Sequence, residues 1–218
     1  MPIGFSEQII YVPVDSVSLE GSLGVSDDAQ GLVIFAHGSG SSRHSPRNNF
    51  VAKQLRSAGL GTLLIDLLTE EEDAVYERRF DIELLVHRLC TTTRWFKDQR
   101  MTKGLPIGYF GASTGAAAAL KAAGTLGESI AAVVSRGGRP DLAEPDLGLV
   151  QSPTLLIVGG DDDVVIELNQ YAYDKLKSRK ELVIVPGASH LFEEPGTLEE
   201  AARLAVNWFT RFLKKTDE

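Results

Sequence analysis

Leu105-Pro-Ile-Gly-Tyr-Phe-Gly-Ala-Ser113-Thr-Gly-Ala-Ala-Ala-Ala-Leu120 decides how the rest of the chain is read. Residues 105–110 form a short apolar run, the pattern of a strand buried on both faces of a parallel sheet. The alanine-rich stretch over residues 113–126 reads as a helix. Between the two, Gly111-Ala-Ser113-Thr-Gly115 requires a tight strand-to-helix turn, with glycines on either side of the serine letting neighbouring segments approach. Working outward, comparable apolar runs stand at residues 31–37, 61–66, 130–135, 153–158 and 181–185. Candidate helices lie between or after them at residues 47–58, 80–97, 168–178 and 197–214. Residues 7–25 alternate apolar and polar around a break at Asp15-Ser16, which reads as an antiparallel hairpin. Strand and helix alternate, so the expected fold is a doubly wound, mostly parallel α/β sheet with the hairpin on one edge.

The chain has 218 residues, 43% hydrophobic and 24% charged, which fits one domain over 1–218 with a sizeable core. No Pro/Gly/Ser-rich linker divides it. The formal net charge of -8 argues against nucleic acid or anionic membranes as partners, because both need a basic surface. Cys90 is the single cysteine, so no internal disulfide calls for an oxidising compartment. The first residues, Met-Pro-Ile-Gly-Phe-Ser-Glu-Gln, lack the basic start and apolar core of a secretory signal. A cytoplasmic protein, mature over its whole length, is the expectation. The acidic stretch at residues 70–73 reads as a solvated loop and helix start.

A serine held at a strand-to-helix turn, hydroxyl exposed, is the setting of a nucleophile; the plainer use of such a serine is as a helix N-cap. The helix that follows directs its dipole and the Thr114 amide toward a developing oxyanion. A serine nucleophile needs a base, and the base an orienting acid. Of the four histidines, His190 follows the last strand; His87 lies within a helical stretch, His44 in a Ser/Gly-rich loop, and His37 is read as bracing its own loop. The acid is sought after the preceding strand, where Asp161, Asp162 and Asp163 compete. That triplet lacks the alternating ligands of a calcium loop, so no metal is expected. His37-Gly38-Ser39-Gly40 offers the Ser39 amide as a second oxyanion donor, while neither a complete GxGxxG nor a complete GxxxxGK[ST] is present to cradle phosphate. Arg136 and Arg139 leave the sheet at the same end as these loops, so either an anionic substrate or surface ion pairing accounts for them. Arg43 and Arg47 carry the same ambiguity.

On four loops, HGSGSS at 37–42, GASTG at 111–115, GGDDDVV at 159–165 and GASH at 187–190, the chain resembles the dienelactone-hydrolase-like branch of the α/β-hydrolases. The resemblance spans nearly the full length and implies the α/β-hydrolase fold, here with no large lid because the connection after residue 135 is short. It implies a Ser113, Asp162 and His190 triad, since the family pattern G-x-x-D-x-x-V aligned on Gly159 and Val165 puts the acid at Asp162. One departure stands out: dienelactone hydrolases use cysteine where this chain has Ser113. The implied activity is hydrolysis of a small ester, lactone or related acyl bond, without cofactor, on a substrate open to being anionic. Two rivals are a ligand-binding protein that keeps the fold without catalysis and an acyltransferase using the same triad. Oligomeric state is not legible.

Overall fold

The computed structural model describes residues 6–215, so the reading of the extreme N-terminus falls largely outside the described residues. An eight-stranded sheet is built from β1 (Ser6–Val14), β2 (Val17–Val25), β3 (Leu32–Ala36), β4 (Gly61–Ile65), β5 (Ile107–Ala112), β6 (Ile130–Arg136), β7 (Thr154–Gly159) and β8 (Lys180–Val185). Their order is β1-β2-β4-β3-β5-β6-β7-β8. β1 and β2 form the antiparallel hairpin, β2 runs antiparallel to β4, and the remaining pairs are parallel. The helices are α1 (Pro46–Ser57), α2 (Glu70–Asp73), α3 (Ile82–Asp98), α4 (Thr114–Leu126), α5 (Asp163–Lys175) and α6 (Thr197–Phe212).

Alternation along the strands divides the core in two. Leu32, Ile34 and Ala36 of β3 pack with α3 and α4, whereas Val33 and Phe35 face the opposite layer with α1 and α6. Every residue of β3, β4, β5 and β7 is buried, which is why these strands read as unbroken apolar runs. The connection from β6 to β7 carries only two short 3₁₀ turns, Pro140–Ala143 and Asp146–Leu149, and no lid domain. No helix among the described residues is long and apolar enough to cross a membrane.

Two expectations need correction. The helix expected over 168–178 begins at Asp163 and ends at Lys175. Its buried positions, Val165, Asn169 and Ala172, follow helical spacing, but a polar asparagine at the middle one hides the apolar face. The acidic stretch at 70–73 is also not uniformly solvated. Glu72 closes a capping box with Thr69 and takes a two-pronged pair from Arg88, which α3 buries to 4% exposure. A buried guanidinium needs a counter-charge, and α2 exists where it can supply one.

Arg88 holds the Glu72 carboxyl well below its ordinary 4.5, down to about 2. A depressed carboxylate stabilises the fold fully above the unfolded value, and that contribution disappears as pH falls through the folded one. Stability should therefore decline from about pH 4.5 toward pH 2 more steeply in the wild type than in Glu72→Gln. Urea midpoints at stepped pH measure this, and parallel profiles would remove the pair from the account.

Candidate active site

Ser113 sits between β5 and α4 with φ 52 and ψ -122, a conformation that costs a non-glycine residue about 1–3 kcal/mol. The end of β6 and the loop after it hold it there from both sides. The Ser113 N–H donates to the Arg136 carbonyl at 3.2 Å, and the Ser113 carbonyl accepts from the Arg139 N–H at 3.1 Å. Gly115 lets the start of α4 press on β3: a β-carbon there would lie 2.1 Å from the Ala36 carbonyl oxygen. No side-chain cap is made by Ser113, so its hydroxyl is not engaged as the N-cap that the plainer reading offered.

The loops after β7 and β8 are similarly pressed together. A β-carbon at Gly159 would stand 2.3 Å from the Ala188 carbonyl oxygen, which also accepts from the Asp161 N–H at 3.0 Å. This contact brings His190 Nδ1 to 2.6 Å from Asp162 Oδ2. Asp161 and Asp163 have exposed side chains with no hydrogen bond among the described residues. With Nδ1–H donating to a carboxylate, the His190 Nε2 is left as an acceptor.

Ser113 and His190 border one cavity of about 250 Å³, together with Gly38, Ser39, Arg47 and Arg136. A larger hollow of about 540 Å³ lies across the loop that follows β3, bordered by Glu20, His37, His44 and Asp66. It contains none of the three residues just described. His37 stands 3.7 Å from Asp66 and outside the serine's cavity, while His87 pairs with Asp15 at the hairpin turn. Arg43 pairs with Asp66 and Glu20, bracing the loop after β3. Among the described residues, no group of three or more His, Cys, Asp or Glu side chains is arranged to hold a metal.

Three sequence expectations meet particular outcomes here. The Ser39 amide is not free: it donates to the Thr114 hydroxyl at 2.9 Å, so in this structure only the Thr114 amide of the expected pair stands without such a side-chain acceptor. Arg139 does not line the cavity. Asp141, two residues on, takes it in a two-pronged pair at 2.9 and 2.7 Å. Arg136 does line it, 7% exposed, with Nη2 donating to Asn48 Oδ1 at 3.3 Å. Burial, with Arg47 adding like-charge repulsion, pushes the Arg136 guanidinium down to about 10. Asn48 of α1 was not singled out from the sequence; its signal is a polar residue on a helix face that otherwise buries Val51, Ala52 and Leu55.

The architecture matches the crystal structure of a dienelactone hydrolase from Anabaena variabilis, with TM-score 0.94 and 54% identity over 96% of this chain and 99% of that one. The chain belongs to the dienelactone hydrolase family. Est1E from Butyrivibrio proteoclasticus shares the fold at 16% identity and TM-score 0.80, covering 93% of this chain and 98% of that one. Mycobacterium tuberculosis proteins from two strains, provisionally named phosphoribosyl transferases, are 56% identical over 203 residues. Those residues are 93% of this chain but only 46% of the mycobacterial proteins, so the chain spans about half the length of these curated relatives. No family model matches the sequence.

The turn that this dienelactone hydrolase relative builds around Ser113 depends on Gly115. Gly115→Ala should lower stability by about 3 kcal/mol, the upper end of ordinary overpacking, because the obstacle is backbone and cannot rotate away. The guanidinium midpoint reads this directly; an unchanged midpoint would mean that α4 and β3 separate more easily than their contact implies.

Proposed function

We propose that this chain is a serine hydrolase of the carboxylesterase class, cleaving a small carboxylic ester, lactone or related acyl bond through an acyl-enzyme. One observation carries the reading: His190, paired with Asp162 at 2.6 Å, borders the same cavity as a serine held at positive φ. Hydrolase and esterase neighbours in the same fold support it.

In this mechanism Ser113 Oγ bonds to the substrate carbonyl carbon while His190 Nε2 takes its proton, and the carbonyl π pair moves onto oxygen. Asp162 holds the imidazolium that forms. The Thr114 amide, at the first turn of α4 where backbone N–H groups have no helical partner, stabilises the oxyanion. The Ser39 amide joins it when the Thr114 hydroxyl rotates away, since the oxyanion and that hydroxyl compete for one N–H. Collapse of the intermediate expels the alkoxide, which leaves with the His190 proton. Water then attacks the acyl-enzyme, gives its proton to His190, and releases the acid as Ser113 recovers its own. Small molecules are the partners this chemistry requires, and none of the steps calls on a metal or organic cofactor.

A fluorophosphonate should add its mass to Ser113 in the folded protein, and Ser113→Ala should abolish turnover of short p-nitrophenyl esters. Asp162→Asn should lower kcat by up to about 10⁴-fold, the scale of losing the correct tautomer, whereas Asp161→Asn and Asp163→Asn stay near wild type. An unlabelled Ser113, or equal rates in wild type and Ser113→Ala, would return the protein to the ligand-binding class.

A further inference from the structure

Arg136 is the last residue of β6 and shares the parity of Ala132 and Val134, whose side chains face the layer of α1 and α6. Its guanidinium is therefore enclosed, sitting 5.8 Å from the ring centroids of both Phe110 and Phe192. No carboxylate stands within 4.0 Å of it among the described residues. Nη2 has a neutral acceptor in Asn48, and Nη1, itself almost without accessible surface, has no hydrogen-bond partner among the described residues. Two cation–π contacts offset only part of the desolvation cost of enclosing an ion. Among the described residues the other strongly enclosed guanidiniums are each met by a carboxylate: Arg88 by Glu72, Arg43 by Asp66 and Glu20, and Arg56 by Glu7. Arg136 alone of these faces the cavity of Ser113 and His190 with its charge uncompensated.

The cavity wall around it is rich in donors. Arg47 contributes a second guanidinium, tied at one nitrogen to the exposed Glu193, and Ser41 and Ser45 add hydroxyls. A planar carboxylate is satisfied by one guanidinium through two parallel hydrogen bonds. Two guanidiniums and two hydroxyls lining one cavity fit a tetrahedral anion with three terminal oxygens and close to two charges. We infer that the substrate of this site carries a phosphate monoester, recognised by Arg136 with Arg47, on the acyl or alcohol portion next to the bond that Ser113 attacks. This rests on Ser113 and His190 being the catalytic pair of the cavity, as proposed above. At about 250 Å³, the cavity has room for a phosphoryl group and a short chain.

The test compares three p-nitrophenyl esters: the neutral acetate, the hemisuccinate and the phosphonooxyacetate. In the wild type, kcat/KM should rank the phosphorylated ester first. Losing a charge-assisted hydrogen bond should lower the phosphorylated-to-neutral ratio of kcat/KM by roughly 10- to 100-fold in Arg136→Gln, with partial recovery in Arg136→Lys. Arg139→Gln, whose side chain is paired outside the cavity, should keep the wild-type ratio. A structural role for Arg136 would depress both esters in proportion and leave the ratio unchanged, which would overturn the inference; so would a wild-type preference for the hemisuccinate. Binding is read separately. Inorganic phosphate should raise the melting temperature of the wild type at constant ionic strength, acetate should not, and Arg136→Gln should lose the shift. It should also inhibit p-nitrophenyl acetate hydrolysis by the wild type competitively, a measurement that needs no variant to fold. Ser113 labelled by fluorophosphonate with no phosphate effect would sink this inference alone. Phosphate protection that depends on Arg136 in a protein whose Ser113 stays unlabelled would leave the anion site standing and remove the catalytic reading.

Discussion

The backbone at Ser113 is the constraint on which the site depends. A serine at φ 52 does not stay there by local preference, because an L-residue in that region meets its own β-carbon. It is held by what surrounds it: β3 pressing on Gly115 from one side, and the end of β6 with the loop after it bonding both the N–H and the carbonyl of Ser113 from the other. Releasing either would let the turn relax toward an ordinary helix N-terminus, with the hydroxyl folded back as a cap. The strain is thus stored in three strands at once. Order at the sheet's centre, where β4, β3, β5 and β6 lie side by side, is what makes such storage affordable.

The same loop after β6 has a second consequence. Just before it, Arg136 ends β6 with its side chain on the face of the α1 and α6 layer, and the loop's third residue, Arg139, bonds the serine carbonyl through backbone alone. Backbone geometry at the proposed nucleophile and charge in the cavity are therefore set by one short segment. A change in the path of residues 136–139 would alter both together. The substitution of serine for the cysteine expected from the family resemblance sharpens this coupling. A thiol can ionise near neutral pH with modest help, whereas a hydroxyl depends on a base in the right tautomer. In the proposed mechanism the Asp162 carboxylate, 2.6 Å from His190, supplies that orientation, and the tight contact of Gly159 with Ala188 is what places the two loops within reach.

Much of this was legible before any coordinates. The alternation of buried runs and helical stretches carried the sheet, its hairpin edge and the absence of a lid, because parallel strands buried on both faces leave an unmistakable apolar signature. The order of Ser113, the aspartate triplet and His190 along the chain was equally visible. Other features were not, for physical reasons that differ case by case. Three consecutive aspartates present one local chemistry, so residue type alone did not separate Asp162 from its neighbours; the family pattern favoured it, and the tertiary contact between two loops pairs it with His190. The start of α5 was hidden by Asn169, a polar residue used on a buried face to bond the Gly138 and Val165 carbonyls. The engagement of the Ser39 amide is a matter of the Thr114 rotamer, which no sequence pattern encodes. Arg136 and Arg139 looked alike, although strand parity and the nearby Asp141 already distinguished them in principle.

Buried charge then becomes the most informative quantity in the molecule. Proteins tolerate an enclosed guanidinium where a carboxylate meets it, and this chain does so at Arg88 and Arg43. At Arg136 it accepts aromatic faces and one amide oxygen in place of an anion, which leaves a deficit that packing does not offset. A side chain of similar volume without charge would fill the same space between Phe110 and Phe192 at lower electrostatic cost. Its retention in a wall shared with Ser113 makes energetic sense when the missing counter-charge arrives with the ligand: desolvation is met in advance by folding, and binding then recovers it. That arrangement converts marginal stability into selectivity, because a neutral molecule entering the cavity leaves the deficit in place while an anion removes it.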